Sequence, residues 1–246
     1  MTTESSIKGI VRGTLRLELR KAVLDWLWAR RTRPDGLAFD VGMFHKTDHV
    51  DIAAAWLGKG EKPSSGRVFI CCPERKDCWP SCSVEENIIS EIVALKEKRG
   101  EMEAGIRVAE PHLRERDVLF DELATWDYAR SENQEYHALC ARISSLENML
   151  YNGTCLQHIS ENPLCSRLYV VVPEGVLHTA ELLDDWGLLW MKTDGTIREM
   201  REAKRHRVSS ENENLFLKRI MNCNALSRRA FLDLKLSSEK NKEKRK

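Results

Sequence analysis

No stretch of this 246-residue chain approaches the ~20 consecutive apolar residues that cross a bilayer. Its opening residues, Met-Thr-Thr-Glu-Ser-Ser, lack the basic segment and apolar run of a secretory leader, so the expected location is the cytoplasm. Net charge is lacking too: 39 basic and 38 acidic side chains leave +1. That balance draws the chain to neither nucleic acid, membrane nor acidic substrates, and any DNA-binding surface has to come from local clustering. No internal repeat is evident. With no sign of export, the eight cysteines are expected as reduced thiols or metal ligands rather than as disulfides.

What is present is a clear alternation of helical and extended pattern. Residues 7–31 carry Ile10, Val11, Leu15, Leu19, Ala22, Val23 and Leu27 at three-to-four spacing with arginines and lysines between, which predicts an amphipathic helix ending at Pro34-Asp35-Gly36. Three extended segments follow at 37–44, 50–57 and 67–72, read as an antiparallel meander. Residues 83–151 are rich in Glu, Lys, Arg, Leu and Ala and predict two or three helices, with breaks near Gly100 to Gly105 and at Pro111. Helix starts are expected at Ser83, in a capping-box pattern with Glu86, and at Ser131. The run 168–173 is apolar without interruption, as in a strand buried on both faces. A hairpin is expected around Thr193-Asp194-Gly195, then a helix over 215–236 and a charged, frayed tail.

These elements make an α/β fold, and their local sequences sharpen the reading. Ala38-Phe39-Asp40-Val41-Gly42-Met43-Phe44 with Asp48-His49-Val50-Asp51-Ile52-Ala53-Ala54, then Arg67-Val68-Phe69-Ile70-Cys71, then residues 168–175 with Asp185-Trp186-Gly187-Leu188-Leu189, together with the basic stretch 198–207, carry a likeness that extends over about half of the chain and skips the middle helices. They resemble the PD-(D/E)xK, or restriction-endonuclease-like, superfamily, in particular its MmcB-like DNA-repair group and related phage and plasmid proteins. The resemblance implies a mixed central sheet flanked by helices. Residues 1–82 would form the first half of the core, 83–151 a helical insertion, 152–236 the second half with a terminal helix, and 237–246 a charged tail.

In such nucleases an Asp on the second strand and a Glu-x-Lys on the third converge on Mg²⁺, the lysine assisting the attacking water. Asp51 fits the first position, and alternation sets it on the face of Ala53 and Ala55, opposite Ile52 and Ala54. On the third strand, in-register matching puts Cys72 where the Glu belongs and Glu74 where the Lys belongs. A two-residue shift makes Glu74-Arg75-Lys76 the Glu-x-Lys and keeps the alternation, but across Pro73. Three readings stay open. One is a metal-dependent DNA endonuclease in which Asp51 and Glu74 hold Mg²⁺ or Mn²⁺ and Lys76 assists catalysis. The second is a non-catalytic DNA-binding or protein-interaction module that keeps the fold. The third is an adaptor stabilised by zinc or an iron–sulfur cluster, in which the cysteines replace the old active site as the functional centre.

Weaker candidates surround this core. Glu18 could add a carboxylate, although arginines at 16 and 20 favour a solvated ion-pairing face. Cys78 and Cys82, with Cys155 and Cys165, could hold Zn²⁺ or an iron–sulfur cluster, with free buried thiols the commoner use of such residues. Arg198, Arg201, Lys204, Arg205 and Arg207 could contact DNA phosphates. The helical insertion could serve a homodimer or a protein partner.

Overall fold

The computed structural model describes residues 2–43, 49–58, 63–78, 85–114, 125–152 and 154–243. They divide into two compact units, one made of residues 1–78 with 153–246 and the other of residues 79–152.

The first unit is built on a six-stranded mixed sheet with strand order β1-β2-β3-β4-β5-β6. β1 (Gly36–Gly42), β2 (His49–Leu57) and β3 (Pro63–Cys71) form the antiparallel meander. β4 (Arg167–Pro173) then joins β3 in parallel, β5 (Gly187–Met191) joins β4 in parallel, and β6 (Ile197–Arg201) closes a hairpin with β5. The hairpin turn fits its sequence, since Gly195 has φ +80°, a conformation that costs glycine nothing. β4 is the fully apolar run Leu168–Val172, with all five side chains buried, as a strand covered on both faces requires.

One face is covered by α1 (Thr2–Ala29). Its Leu19, Ala22, Val23 and Leu27 pack on Ile52, Ala54, Phe69, Tyr169, Val171 and Leu189. Each fully buried leucine or valine contributes about 1.5–3 kcal/mol, which is what ties this helix to the sheet. The face carrying Ala55 and Gly66 meets α5 (Ser210–Glu243), where Phe216 and Ile220 approach those strands closely. The approach depends on Gly66, because a Cβ there would lie 2.8 Å from the Phe216 ring and 2.9 Å from Cys165. A short helix, α4 (Cys155–Glu161), leads into β4 and is capped by the Thr154 hydroxyl, which accepts from Gln157 N.

The second unit pairs α2 (Glu85–Ala109) with α3 (Gln134–Tyr151). Ile106, Leu113 and Tyr136 form its small core with Trp126 and Tyr128. Ion pairs join the helices, Lys96 to Glu147 at 2.7 Å and Arg142 to Glu91 at 2.7 Å.

Several boundaries differ from the sequence reading. α2 runs straight through Gly100 and Gly105, because packing against α3 outweighs the roughly 1 kcal/mol that each glycine costs a helix. It does stop before Pro111. α3 is capped by Asn133, whose side chain accepts from Tyr136 N, while Ser131 donates its hydroxyl to Glu110. β3 starts at Pro63, inside what reads as a loop, because its pairing with β2 continues to Pro63↔Leu57. α5 begins at Ser210 and continues to Glu243, into the stretch read as a frayed tail. The expected start at Ser83 lies outside the described residues. Among the described residues, no helix is long and apolar enough to cross a membrane.

Candidate functional site

Asp51 sits where the meander loosens. The β1–β2 register runs Phe39↔Ile52 and then Val41↔Val50, passing over the Asp40/Asp51 step, and Asp40 has φ 51°, a left-handed conformation that Asp tolerates better than most residues. The β2–β3 register begins at Ile52↔Phe69, so Cys71 N–H has no ladder partner on β2. Asp51 supplies one: its Oδ2 accepts from Cys71 N at 2.8 Å.

This irregularity also changes where the carboxylate points. Strict alternation sets Asp51 with Ala53 and Ala55, away from α1, yet it bonds two arginines of α1. Arg16 donates Nε to Oδ1 at 2.7 Å and Nη2 to Oδ2 at 2.9 Å, a bidentate clamp. Arg20 donates Nε to Oδ1 at 2.7 Å and turns its terminal nitrogens to Asp40. The Asp51 side chain is 0% exposed, against 17% for Arg20 and 46% for Arg16. The bond to Asp51 raises the Arg16 pKa against the cost of burial. For Arg20, burial works against the charge, and the bonds to Asp40 and Asp51 outweigh it. Asp51 is thus a buried anion whose hydrogen-bonding needs are met by two guanidinium groups and one backbone amide.

The third-strand candidates have other hydrogen-bond and ion-pair partners. Main-chain pairing with β4 continues to Cys72, whose N–H donates to Val171 O at 2.9 Å, and Cys72 is buried. The chain then turns at Pro73 into a single 3₁₀ turn, Arg75–Asp77, and leaves the sheet. Glu74 and Lys76 are half-exposed on that turn and pair with each other at 2.5 Å. The turn is pinned from both sides: Glu74 N donates to Asp77 Oδ2 at 2.9 Å, and Arg75 reaches the buried Glu181 at 2.7 Å. Asp51 and Glu74 therefore have separate cationic partners, the arginines of α1 for the first and Lys76 for the second.

The thiols are distributed over several places. Cys71 is buried on the α1 face, where burial and the nearby Asp51 charge hold its pKa well above the ordinary thiol value. Cys78 is buried and hydrogen-bonded to Cys72, and that contact, with burial, raises its pKa well above the ordinary value. Cys165 lies just before β4, and burial pushes its thiol up to about 12. Cys155 begins α4, its sulfur 3.9 Å from His49 O. Cys82 falls outside the described residues. Among the described residues, no group of three or more His, Cys, Asp or Glu is arranged to hold a metal ion.

The basic candidates divide. Arg201 is engaged inside the fold: its guanidinium donates to Trp186 O, Thr179 O and Leu183 O at 2.9, 2.9 and 2.5 Å, fastening the β4–β5 connection. The others are exposed. Arg198 lies on the edge strand β6, and Lys204, Arg205 and Arg207 on the extended segment after it. That segment is anchored by Lys204 N to Asp185 O, by His206 N to Ser166 O and by buried Ala203, so its basic side chains face solvent. Glu18 is exposed on the other side of α1 from Arg16 and Arg20, and it has no ion-pair partner among the described residues.

The residues that sequence reasoning missed are Arg16 and Arg20. Their signal was present, two arginines four apart on one flank of a helix whose next face is core. Their partner lies 35 and 31 residues away and becomes visible only when the sheet is assembled.

No protein-family model and no curated protein sequence matches the chain. Among solved structures, the chain is similar to the SPO1766 protein of unknown function from Silicibacter pomeroyi, at 13% identity and a TM-score of 0.42 over 88% of this chain and 90% of that one.

Proposed function

We propose that the protein is a non-catalytic DNA-binding module on a restriction-endonuclease-like core. The observation that carries this reading is Asp51, the residue matched to the first metal ligand. Its carboxylate is buried between Arg16 and Arg20 and accepts from Cys71 N. That its oxygens already accept from two guanidinium groups of the protein supports the non-catalytic reading over the endonuclease one. Two further features support it: a buried thiol, Cys72, at the position matched to the second carboxylate, and Glu74 paired with Lys76 beyond the strand end. The order of the sheet, an antiparallel meander followed by a parallel fourth strand, supports the fold part of the reading.

The DNA part rests on Arg198, Lys204, Arg205 and Arg207. Exposed basic groups on an anchored backbone neutralise phosphates without having to be ordered first. The test is fluorescence anisotropy with a labelled duplex across a salt series, beside a cleavage assay with Mg²⁺ and Mn²⁺. The expected result is binding in the range of about 10⁻⁴–10⁻⁶ M without cleavage. Replacing Lys204, Arg205 and Arg207 together by Gln should weaken binding and flatten the salt slope by roughly 0.9 for each lost phosphate contact. Metal-dependent cleavage that Asp51→Ala abolishes would overturn the proposal in favour of the endonuclease, and binding unchanged in the triple variant would remove the assigned surface.

A further inference from the structure

α1 has a second flank. On the side away from Arg16 and Arg20, it faces the ends of β4 and β5 and the turn between β5 and β6, enclosing a cleft of about 580 Å³. This volume lies within the roughly 300–1,000 Å³ of small-ligand sites. The position is also one that α/β sheets commonly use, outside the carboxyl ends of parallel strands, here at Pro173 and Met191.

The lining has two parts. Leu15, Ala22, Pro173 and Met191 supply an apolar surface. Around it stand four carboxylates, Glu18, Asp25, Glu174 and Asp194, against two ammonium groups, Lys21 and Lys192, so the lining carries a formal charge of −2. Two of the acids are already engaged. Asp25 accepts from Lys21 at 2.6 Å. Asp194 accepts from Thr196 N at 2.8 Å and Thr196 Oγ1 at 2.6 Å, with Lys192 nearby. Glu18 and Glu174 are exposed and have no partner among the described residues. The cleft thus combines an apolar surface with two carboxylates that make no ion pair among the described residues, and its lining stays net acidic with Lys21 and Lys192 counted.

We propose that this cleft binds a small organic cation, an ammonium or guanidinium group held by Glu18 and Glu174 on an apolar body packed against Leu15, Ala22, Pro173 and Met191. An anionic ligand would meet the acidic lining and be repelled, as would a nucleic-acid backbone. A bare divalent metal would need several oxygens directed at one point, whereas an organic cation gains from both parts of the lining. The site is separate from the Asp51 network and does not rest on the DNA-binding reading.

The test is calorimetric titration and ¹H–¹⁵N NMR of the full chain with three probes of similar size: phenethylamine, 2-phenylethanol and 3-phenylpropionate. The expected result is saturable binding of the amine with shifts at the Lys192 and Gly195 amides, at least about tenfold weaker binding of the alcohol and none of the carboxylate. Glu18→Gln with Glu174→Gln should weaken the amine about tenfold at an unchanged melting temperature, because both side chains are exposed and unpaired. Equal affinity for amine and alcohol would overturn the proposal by reducing the cleft to an apolar hollow. So would absence of saturable amine binding up to about 10 mM, or an amine affinity indifferent to the double substitution in a variant whose NMR spectrum stays folded.

Discussion

The two flanks of α1 handle charge in opposite ways. On one, Arg16 and Arg20 meet Asp51 and Asp40, and each group finds its complement within the fold. On the other, Glu18 and Glu174 border a cleft without a counter-ion among the described residues. Satisfied charges hold a helix to a sheet and leave nothing for a ligand, whereas unsatisfied charges beside an apolar hollow contribute little to the fold and remain available. Residue type alone does not separate the two cases, since a carboxylate lies at the centre of each.

The comparison is most strongly tested by Asp51→Ala. It leaves two guanidinium groups without their shared anion and Cys71 N–H without an acceptor, and the expected loss is about 3 kcal/mol in urea denaturation. Stability that stays the same or rises would mean that the network contributes nothing to the fold.

Smaller effects should separate the two arginines. Arg20→Ala should cost about 2 kcal/mol, because Arg20 is the more buried and bridges Asp51 to Asp40. Arg16→Ala should cost about 1 kcal/mol, since its half-exposed position leaves it screened by solvent. Equal costs would break the assignment of Arg20 as the central member.

The smallest effect belongs to the cleft flank. The Thr196 bonds hold the Asp194 pKa below its ordinary 3.8, so their contribution is present above that value and is lost as pH falls through the lower folded pKa. An NMR titration of the Gly195 amide should show a midpoint below 3.8, and Thr196→Val should move it upwards. A midpoint unmoved by that substitution would sink the assignment of the hydroxyl bond as the first cause.

Much of the fold was legible because the signals were local. The apolar period of α1, the uninterrupted run of β4 and the Asp-Gly turn each identify an element without help from the rest of the chain. The misreadings fall where tertiary packing outweighs local preference, as at Gly100 and Gly105 within α2 and at Pro63 to Gly66 within β3. The site was half legible. Asp51 stands out from its position in an apolar strand, but its orientation depends on the passed-over step opposite Asp40, which alternation cannot foresee. Arg201 illustrates the converse: in sequence it belongs to a basic run, and in the fold its guanidinium binds three carbonyl oxygens. A charge run does not reveal which of its members are already engaged.

The outer strand β1 has a consequence for self-association. A sheet edge offers main-chain groups to any other strand, the usual beginning of edge-to-edge polymerisation. Here α5 occupies two of that edge's carbonyl oxygens with side chains: Asn224 donates to Leu37 O at 2.9 Å and Arg219 to Gly42 O at 2.7 Å. The terminal helix therefore acts as a guard rail as well as a packing layer. A chain ending before Ser210 would leave those two carbonyl oxygens open to another strand, and the expected outcome is light scattering at concentrations where the full chain gives none.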